Sequence, residues 1–244
     1  MSVPVTLATA ARVLRQLRRD RRTLALVLLV PPFLLTIFRY VFDGQPQTFD
    51  RVGAPMVGIF PLVSMFLVTS VAMLRERTTG TLERLMSTPL GKLDLLTGYG
   101  LAFAALAVLQ AAVASAVAFG LLGLDIHGSI WIVFGFAVAN AVLGMALGLL
   151  LSAFATTEFQ AVQFMPAAIL PQILLCGLLV PRERMAPVLR WVSNALPMTY
   201  AYDGLARASA GAGGGRIAVD ALVIAGAALI ALGLGAATLR RRTP

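Results

Sequence analysis

Charge is scarce in this chain. Only 13% of its 244 residues are Asp, Glu, Lys or Arg, where an ordinary soluble domain carries about a quarter. The single lysine, Lys92, sits in Gly91-Lys92-Leu93 with no hydroxyl after it. The phosphate-binding loop G-x-x-x-x-G-K-[ST] needs that lysine for the phosphates and the hydroxyl for magnesium, so nucleotide hydrolysis is not expected here. The single cysteine, Cys176, excludes an intrachain disulfide and a cysteine-based metal site. The single histidine, His127, shares a short turn with Asp125 and reads as a solvated surface group. A serine–histidine, paired-carboxylate or metal-ligand cluster at one depth is missing, which argues against an intramembrane enzyme. Ionisable residues are nearly absent from the centres of the apolar runs, and an ion-coupled carrier would need them there. No segment alternates apolar and polar at every second residue, so a membrane β-barrel is excluded too.

What the chain has in abundance is apolar length. Apolar residues make up 59% of it, gathered into runs of the length a hydrocarbon layer of about 30 Å requires of a helix. The expected fold is an all-α membrane protein forming a single transmembrane domain over 1–244. Six transmembrane helices are placed near 23–42, 54–74, 93–123, 129–155, 160–180 and 217–239. The third and fourth exceed the span length and are expected to tilt or protrude. Pro31, Pro32, Pro61, Pro166 and Pro171 fall in or near the spans, where each removes a backbone donor that packed neighbours must replace.

Ahead of the spans, residues 5–22 form an N-terminal amphipathic interfacial helix. Leu7, Ala10, Val13, Leu14 and Leu17 fall on one side at 100° per residue, and Arg12, Arg15, Arg19 and Arg22 on the other. Such a helix lies on an anionic leaflet rather than acting as a cleavable signal. The net charge of +9 therefore reads as topology, not as a nucleic-acid surface, because the arginines flank apolar segments. With both termini cytoplasmic, 13 of the 20 basic residues fall inside, the orientation the positive-inside rule favours.

Two connections are long for a helical bundle, an inner one over 75–92 and an outer one over 181–216. In the inner one, Leu82, Leu85 and Met86 have helical spacing, and Pro89 stops the helix with Thr88 available as a cap. A short amphipathic helix behind the mixed charges of Arg75, Glu76 and Arg77 suits a protein contact better than a lipid contact; periodicity alone equally allows a solvated loop with incidental helix.

This segment resembles the one that follows the second span in ABC-2 type transporter permeases, the membrane subunits of a class of ATP-binding-cassette exporters. The matching residues are Arg75-Glu76-Arg77, then Gly80-Thr81-Leu82-Glu83-Arg84-Leu85, then Thr88-Pro89. Thr78 stands where that family often has an acidic residue. A second match runs through Gly177-Leu178-Leu179-Val180-Pro181, Met185-Ala186-Pro187 and Trp191. It continues in Leu196-Pro197-Met198-Thr199-Tyr200 and Asp203-Gly204-Leu205-Ala206-Arg207, similar to the family's outer helical loop between the fifth and sixth spans.

The resemblance implies a permease in the plasma (inner) membrane. It pairs with a second permease subunit, as homodimer or heterodimer, and with a cytoplasmic ABC ATPase subunit that binds the ATP and Mg. The segment from Arg75 to Pro89 would be the cytoplasmic coupling helix. A hydrophobic or amphiphilic, drug- or antibiotic-like substrate is expected, with lipid or polysaccharide export as the alternative and a stand-alone ion-coupled carrier less favoured. Gln110, Asn140, Gln163 and Gln172 are the candidate polar residues of a translocation path, although such groups more often bond helix to helix.

Overall fold

In the computed structural model, which describes residues 2–81 and 92–238, the chain is a bundle of α-helices, and no strand occurs among the described residues. The first two helices are separated by one acid. Helix α1 spans Val3–Arg19 and α2 spans Arg21–Val41. Asp20 leaves the helical region and caps α2, its carboxylate accepting from the Thr23 amide at 3.1 Å and the Thr23 hydroxyl at 2.6 Å. Short polar side chains end one helix and start the next in this way. Arg21 and Arg22 accordingly open α2 rather than closing α1.

Helix α3 spans Pro46–Thr78, and α4 spans Lys92–Ala116 before a π-helical turn over Val117–Leu121. Helix α5 spans Ile130–Leu151. At 33 residues, α3 is about 50 Å long, well beyond a hydrocarbon layer. Its last turn, which carries Arg75, Glu76 and Arg77, therefore lies beyond a layer of that thickness while staying packed against its neighbours.

Helices α3 and α5 form the most extensive pairing among the described elements. Gly144 and Gly148 let α5 approach so closely that the Thr69 hydroxyl of α3 reaches the Met145 carbonyl of α5 at 3.2 Å. Tyr99, Phe103 and Leu106 of α4 pack beside this pair with Met65, Met73 and Leu149, forming the core beneath α1.

The 160–180 region departs from one continuous span. Helix α6 covers Glu158–Ala168 and α7 covers Leu170–Leu175, with a break at Ile169. Pro171 has no N–H to offer the carbonyl one turn earlier, and its ring disfavours helical backbone just before it. Among the described residues, five helices are long and apolar enough to cross a membrane: Arg21–Val41, Pro46–Thr78, Thr97–Leu121, Ile130–Phe154 and Gly214–Ala237. The last is α10.

Between α7 and α10 lie two shorter helices, α8 (Pro187–Ala195) and α9 (Pro197–Ser209). They are held by side chains rather than by their own length. Ser193 donates to the Leu175 carbonyl at 2.9 Å, and Thr199 donates to the Ser193 carbonyl at 2.7 Å. Arg182 pairs with Asp203, Asp203 with Arg207 at 3.2 Å, and Arg207 with Asp220 of α10. This alternating chain of four charges ties the 181–209 segment to the last apolar helix.

Candidate functional site

One end of the bundle gathers α1, the last turn of α3, the first turns of α4 and the start of α6. Its charges are organised in two tiers. On the surface, Arg75 grips Glu158 through two bonds, Nε to Oε1 at 2.7 Å and Nη2 to Oε2 at 3.1 Å. That contact holds the Glu158 carboxyl below its ordinary value. Both side chains are more than half exposed, so the pair contributes under about 1 kcal/mol.

Beneath it, Glu76 is only 7% exposed and faces the guanidinium of Arg12 at 3.9 Å. Arg12 in turn donates to the Tyr99 hydroxyl and lies 5.6 Å from the centroid of that ring. At the start of α1, the Ser2 amide and the Thr6 hydroxyl converge on Asp94 of α4 at 2.8 and 3.3 Å. Gly98 lets Thr9 of α1 sit against α4, since a Cβ there would come within 2.6 Å of the Thr9 Cβ. Helix α1 is thus fastened to the spans at its start and through its middle.

Gly80 shapes what leaves this end. Thr79 closes α3, its amide donating to the Arg75 carbonyl at 3.0 Å and its hydroxyl to the same carbonyl at 2.7 Å. Gly80 follows at φ +71°, the left-handed conformation that favours glycine just past a helix end. The chain turns sharply there, with Thr81 the last residue described before Lys92. Leu82, Glu83, Arg84, Leu85, Thr88 and Pro89 lie outside the described residues. Arg77, half-buried beside Glu76, has its Nε buried and without a hydrogen bond. The arrangement is mechanical: α1, α3, α4 and α6 meet through side-chain contacts at the turn from which the 82–91 segment departs.

The four neutral polar candidates occupy four different settings. Gln110 of α4 is fully buried and donates to the Val27 carbonyl of α2 at 2.7 Å. Val27 stands four residues before Pro31, so its carbonyl has no helical N–H partner, and the Gln110 amide replaces it. Gln110→Leu should leave that carbonyl orphaned and cost about 1–3 kcal/mol. Thermal unfolding of purified variant and parent in the same lipid checks this. Asn140 of α5 is fully buried against Gly58 of α3, with neither side-chain polar atom bonded. Gln163 is exposed on α6. Gln172 of α7 donates to the Ala168 carbonyl at 2.9 Å, within its own broken helix.

At the opposite end, a cavity of about 550 Å³ is lined by residues that include Gln47, Asp50, Asp125, His127 and Tyr202. Asp50 accepts from the Asp125 amide at 3.0 Å. No group of three His, Cys, Asp or Glu residues able to hold a metal ion occurs among the described residues.

Sequence reasoning did not single out Arg12, Tyr99 and Asp94 as a set, because they are brought together only by the docking of α1. The signal for the Asp203–Arg207–Asp220 chain was present: an acid–base pair four residues apart and an acid inside an apolar helix.

Comparison with known proteins addresses identity. Residues 5–208 match the family described as ABC-2 type transporter. The chain is 29% identical over 164 residues to ABC transporter G family member 20 of Dictyostelium discoideum, covering 66% of this chain and 22% of that protein. It is also 29% identical over 163 residues to the probable multidrug ABC transporter permease YbhS of Escherichia coli (strain K12), covering 66% of this chain and 43% of the relative. With the probable multidrug ABC transporter permease YbhR of the same organism, identity is 28% over 139 residues, or 57% and 37% of the two chains. The chain spans less than half the length of each of these relatives. The match over 5–208, running through the docked α1 and the charged turn of α3, makes this chain a member of the ABC-2 type transporter family.

Proposed function

We propose that this chain is the permease subunit of an ATP-driven exporter for hydrophobic or amphiphilic, drug-like substrates, driven by a separate cytoplasmic ATPase. In this reading it works as a pair of permease subunits in the plasma (inner) membrane. It has six crossings, with α6 and α7 together serving as the fifth, and both termini are cytoplasmic. The names of the bacterial relatives, probable multidrug permeases, support the substrate class.

The observation that carries the reading is the turn at Thr79-Gly80. The 82–91 segment leaves α3 there, one turn past a carboxylate that faces α1 and a guanidinium that grips α6. A partner seated on that segment pulls on four helices at once. ATP-driven closure of the ATPase pair would bias the bundle between two arrangements through this contact. The charge-paired rim at Arg75 and Glu158 suits a protein surface better than lipid.

The test is association. Epitope-tagged chain is expected to co-purify an ATPase of the ATP-binding-cassette class. The double charge reversal Glu83→Lys with Arg84→Glu should cut the recovered ATPase at least tenfold, while a distant reversal such as Arg216→Glu should leave recovery unchanged. Equal recovery from all three would remove the coupling assignment.

A further inference from the structure

A cleft of about 290 Å³ opens between α1, the start of α2, α3 and α4. Along α3 its wall runs from Leu67 through Val68, Val71 and Ala72 to Arg75 and Glu76, about 13 Å of helix rise. The wall changes character along that rise. Its first turns are apolar and are faced by Phe103 of α4 with Val13 and Leu17 of α1, whereas its last turn is ringed by Gln16, Asp20 and Thr23. A space of this size holds about ten groups the size of a water molecule at ~30 Å³ each, enough for a medium alkyl chain.

The charges at the mouth select the head group. Glu76 is nine-tenths buried, and its Oε2 makes no hydrogen bond. Arg12 stands 3.9 Å from that oxygen, beyond hydrogen-bond reach, and is engaged by Tyr99. Asp20 adds a second carboxylate, kept ionised by the Thr23 hydroxyl and amide. Arg75, the one guanidinium among the described lining residues, is already bonded twice by Glu158. An anionic head would meet two carboxylates, while an ammonium would supply a donor to Glu76 Oε2, which makes no hydrogen bond.

We propose that this cleft is a binding site for cationic amphiphiles, single-chain hydrophobic amines whose ammonium bonds Glu76 while the chain lies along Leu67, Val68 and Val71. The site deepens the exporter reading and rests on it for its purpose, as the place where a substrate is taken from the leaflet nearest α1. Binding itself needs neither ATP nor a partner.

The experiment uses the full chain in phosphatidylcholine nanodiscs, carrying Ala72→Cys as a reporter in a Cys176→Ala background, with the rate of maleimide labelling as readout. Dodecylamine should slow labelling in a saturable way, whereas dodecyl sulfate and dodecanol should do so only at concentrations at least tenfold higher. Adding Glu76→Gln should raise the dodecylamine concentration for half-protection about tenfold or more, the scale of a lost charged hydrogen bond. Val68→Trp, which keeps Glu76 but fills the cleft, should abolish protection.

Equal protection by all three amphiphiles, or none by dodecylamine, overturns the proposal. So does full protection in the Val68→Trp protein. If Glu76→Gln does not yield folded protein, the head-group comparison and Val68→Trp decide the matter. A failure here leaves ATPase co-purification untouched, and a failure of co-purification leaves amine binding untouched, so the two readings fall separately.

Discussion

Gly144→Leu is expected to give the largest loss of stability of any single substitution in the apolar core. A Cβ at position 144 would overlap the Leu62 carbonyl oxygen of α3 and come within 2.9 Å of the Leu62 Cα. One turn on, a Cβ at Gly148 would meet the Phe66 carbonyl and the Thr69 hydroxyl. These obstacles are mostly backbone, so no rotamer change relieves them and the two helices must separate. Separation would also break the bond from Thr69 to the Met145 carbonyl. Small residues four apart serve this close approach in membrane helices. Overpacking a tight core costs about 1–3 kcal/mol and occasionally more, and backbone-on-backbone overlap belongs at the upper end. Gly135 lies on the same helix with nothing within 4 Å of its would-be Cβ, so Gly135→Ala is the control and should be neutral. Thermal unfolding of the two variants in one lipid system reads the difference. Equal melting of both would mean that α3 and α5 are not packed as described.

Arg207→Met is expected to destabilise the 181–220 region by about 3 kcal/mol or more, the range for breaking a buried pair by removing one partner. Arg207 is shared by Asp203 and Asp220, whose side chains are 15% and 6% exposed. Removing it orphans Asp220 and leaves Asp203 with Arg182 alone. The Arg75–Glu158 pair has better bidentate geometry but stands in water, so its loss should cost far less.

Two further measurements separate the buried-charge explanation from simple misfolding. Removing the orphan as well, in Arg207→Met with Asp220→Leu, should recover most of the loss, because an apolar pair of similar volume commonly matches a buried ion pair. The deficit should also depend on pH. Burial already outweighs the guanidinium groups around Asp203 and raises its carboxyl above the ordinary value. A raised carboxyl favours the folded state below its unfolded pKa, and that advantage is lost as pH rises through the folded value. Without Arg207 the folded value rises further, so the variant should lie nearest the parent at acidic pH and furthest at alkaline pH. A pH-independent deficit would contradict this account of the charge chain.

How much of this was legible in the sequence depends on which physical signal each part uses. Apolar length marked the long helices, because hydrophobic runs survive any uncertainty about packing. The broken helix at 158–175 was harder. Its length meets the requirement for a span, while Pro171 works against a continuous helix. The face of α1 was half legible. Ala10 and Val13 are buried as the helical period implies, yet Thr6 and Thr9 join them while Leu7 and Leu14 are exposed. The reason is Gly98 and Asp94 on α4, which accept small hydroxyl residues and leave the leucines for the bilayer surface. The inner segment at 75–92 owed its reading to resemblance more than to periodicity, and of its residues 75–81 and Lys92 are described. Gln110 shows why a polar residue in a span is a poor guide to a path. Its partner is a carbonyl that a proline on another helix has left free, a relation between Pro31 and Gln110 across 79 positions that no local pattern displays.

The central claim is that this chain supplies the moving membrane part of the transporter while force comes from another chain through the turn below α3. Reconstitution into sealed vesicles tests it most directly, with the permease alone, the co-purified ATPase alone, and both together, following ATP-dependent movement of a fluorescent hydrophobic amine. The account predicts ATP-dependent movement only with both chains present, and its loss with the Glu83→Lys, Arg84→Glu protein. Uphill movement or ATP cleavage by the permease alone, or undiminished movement with the charge-reversed protein, would contradict it.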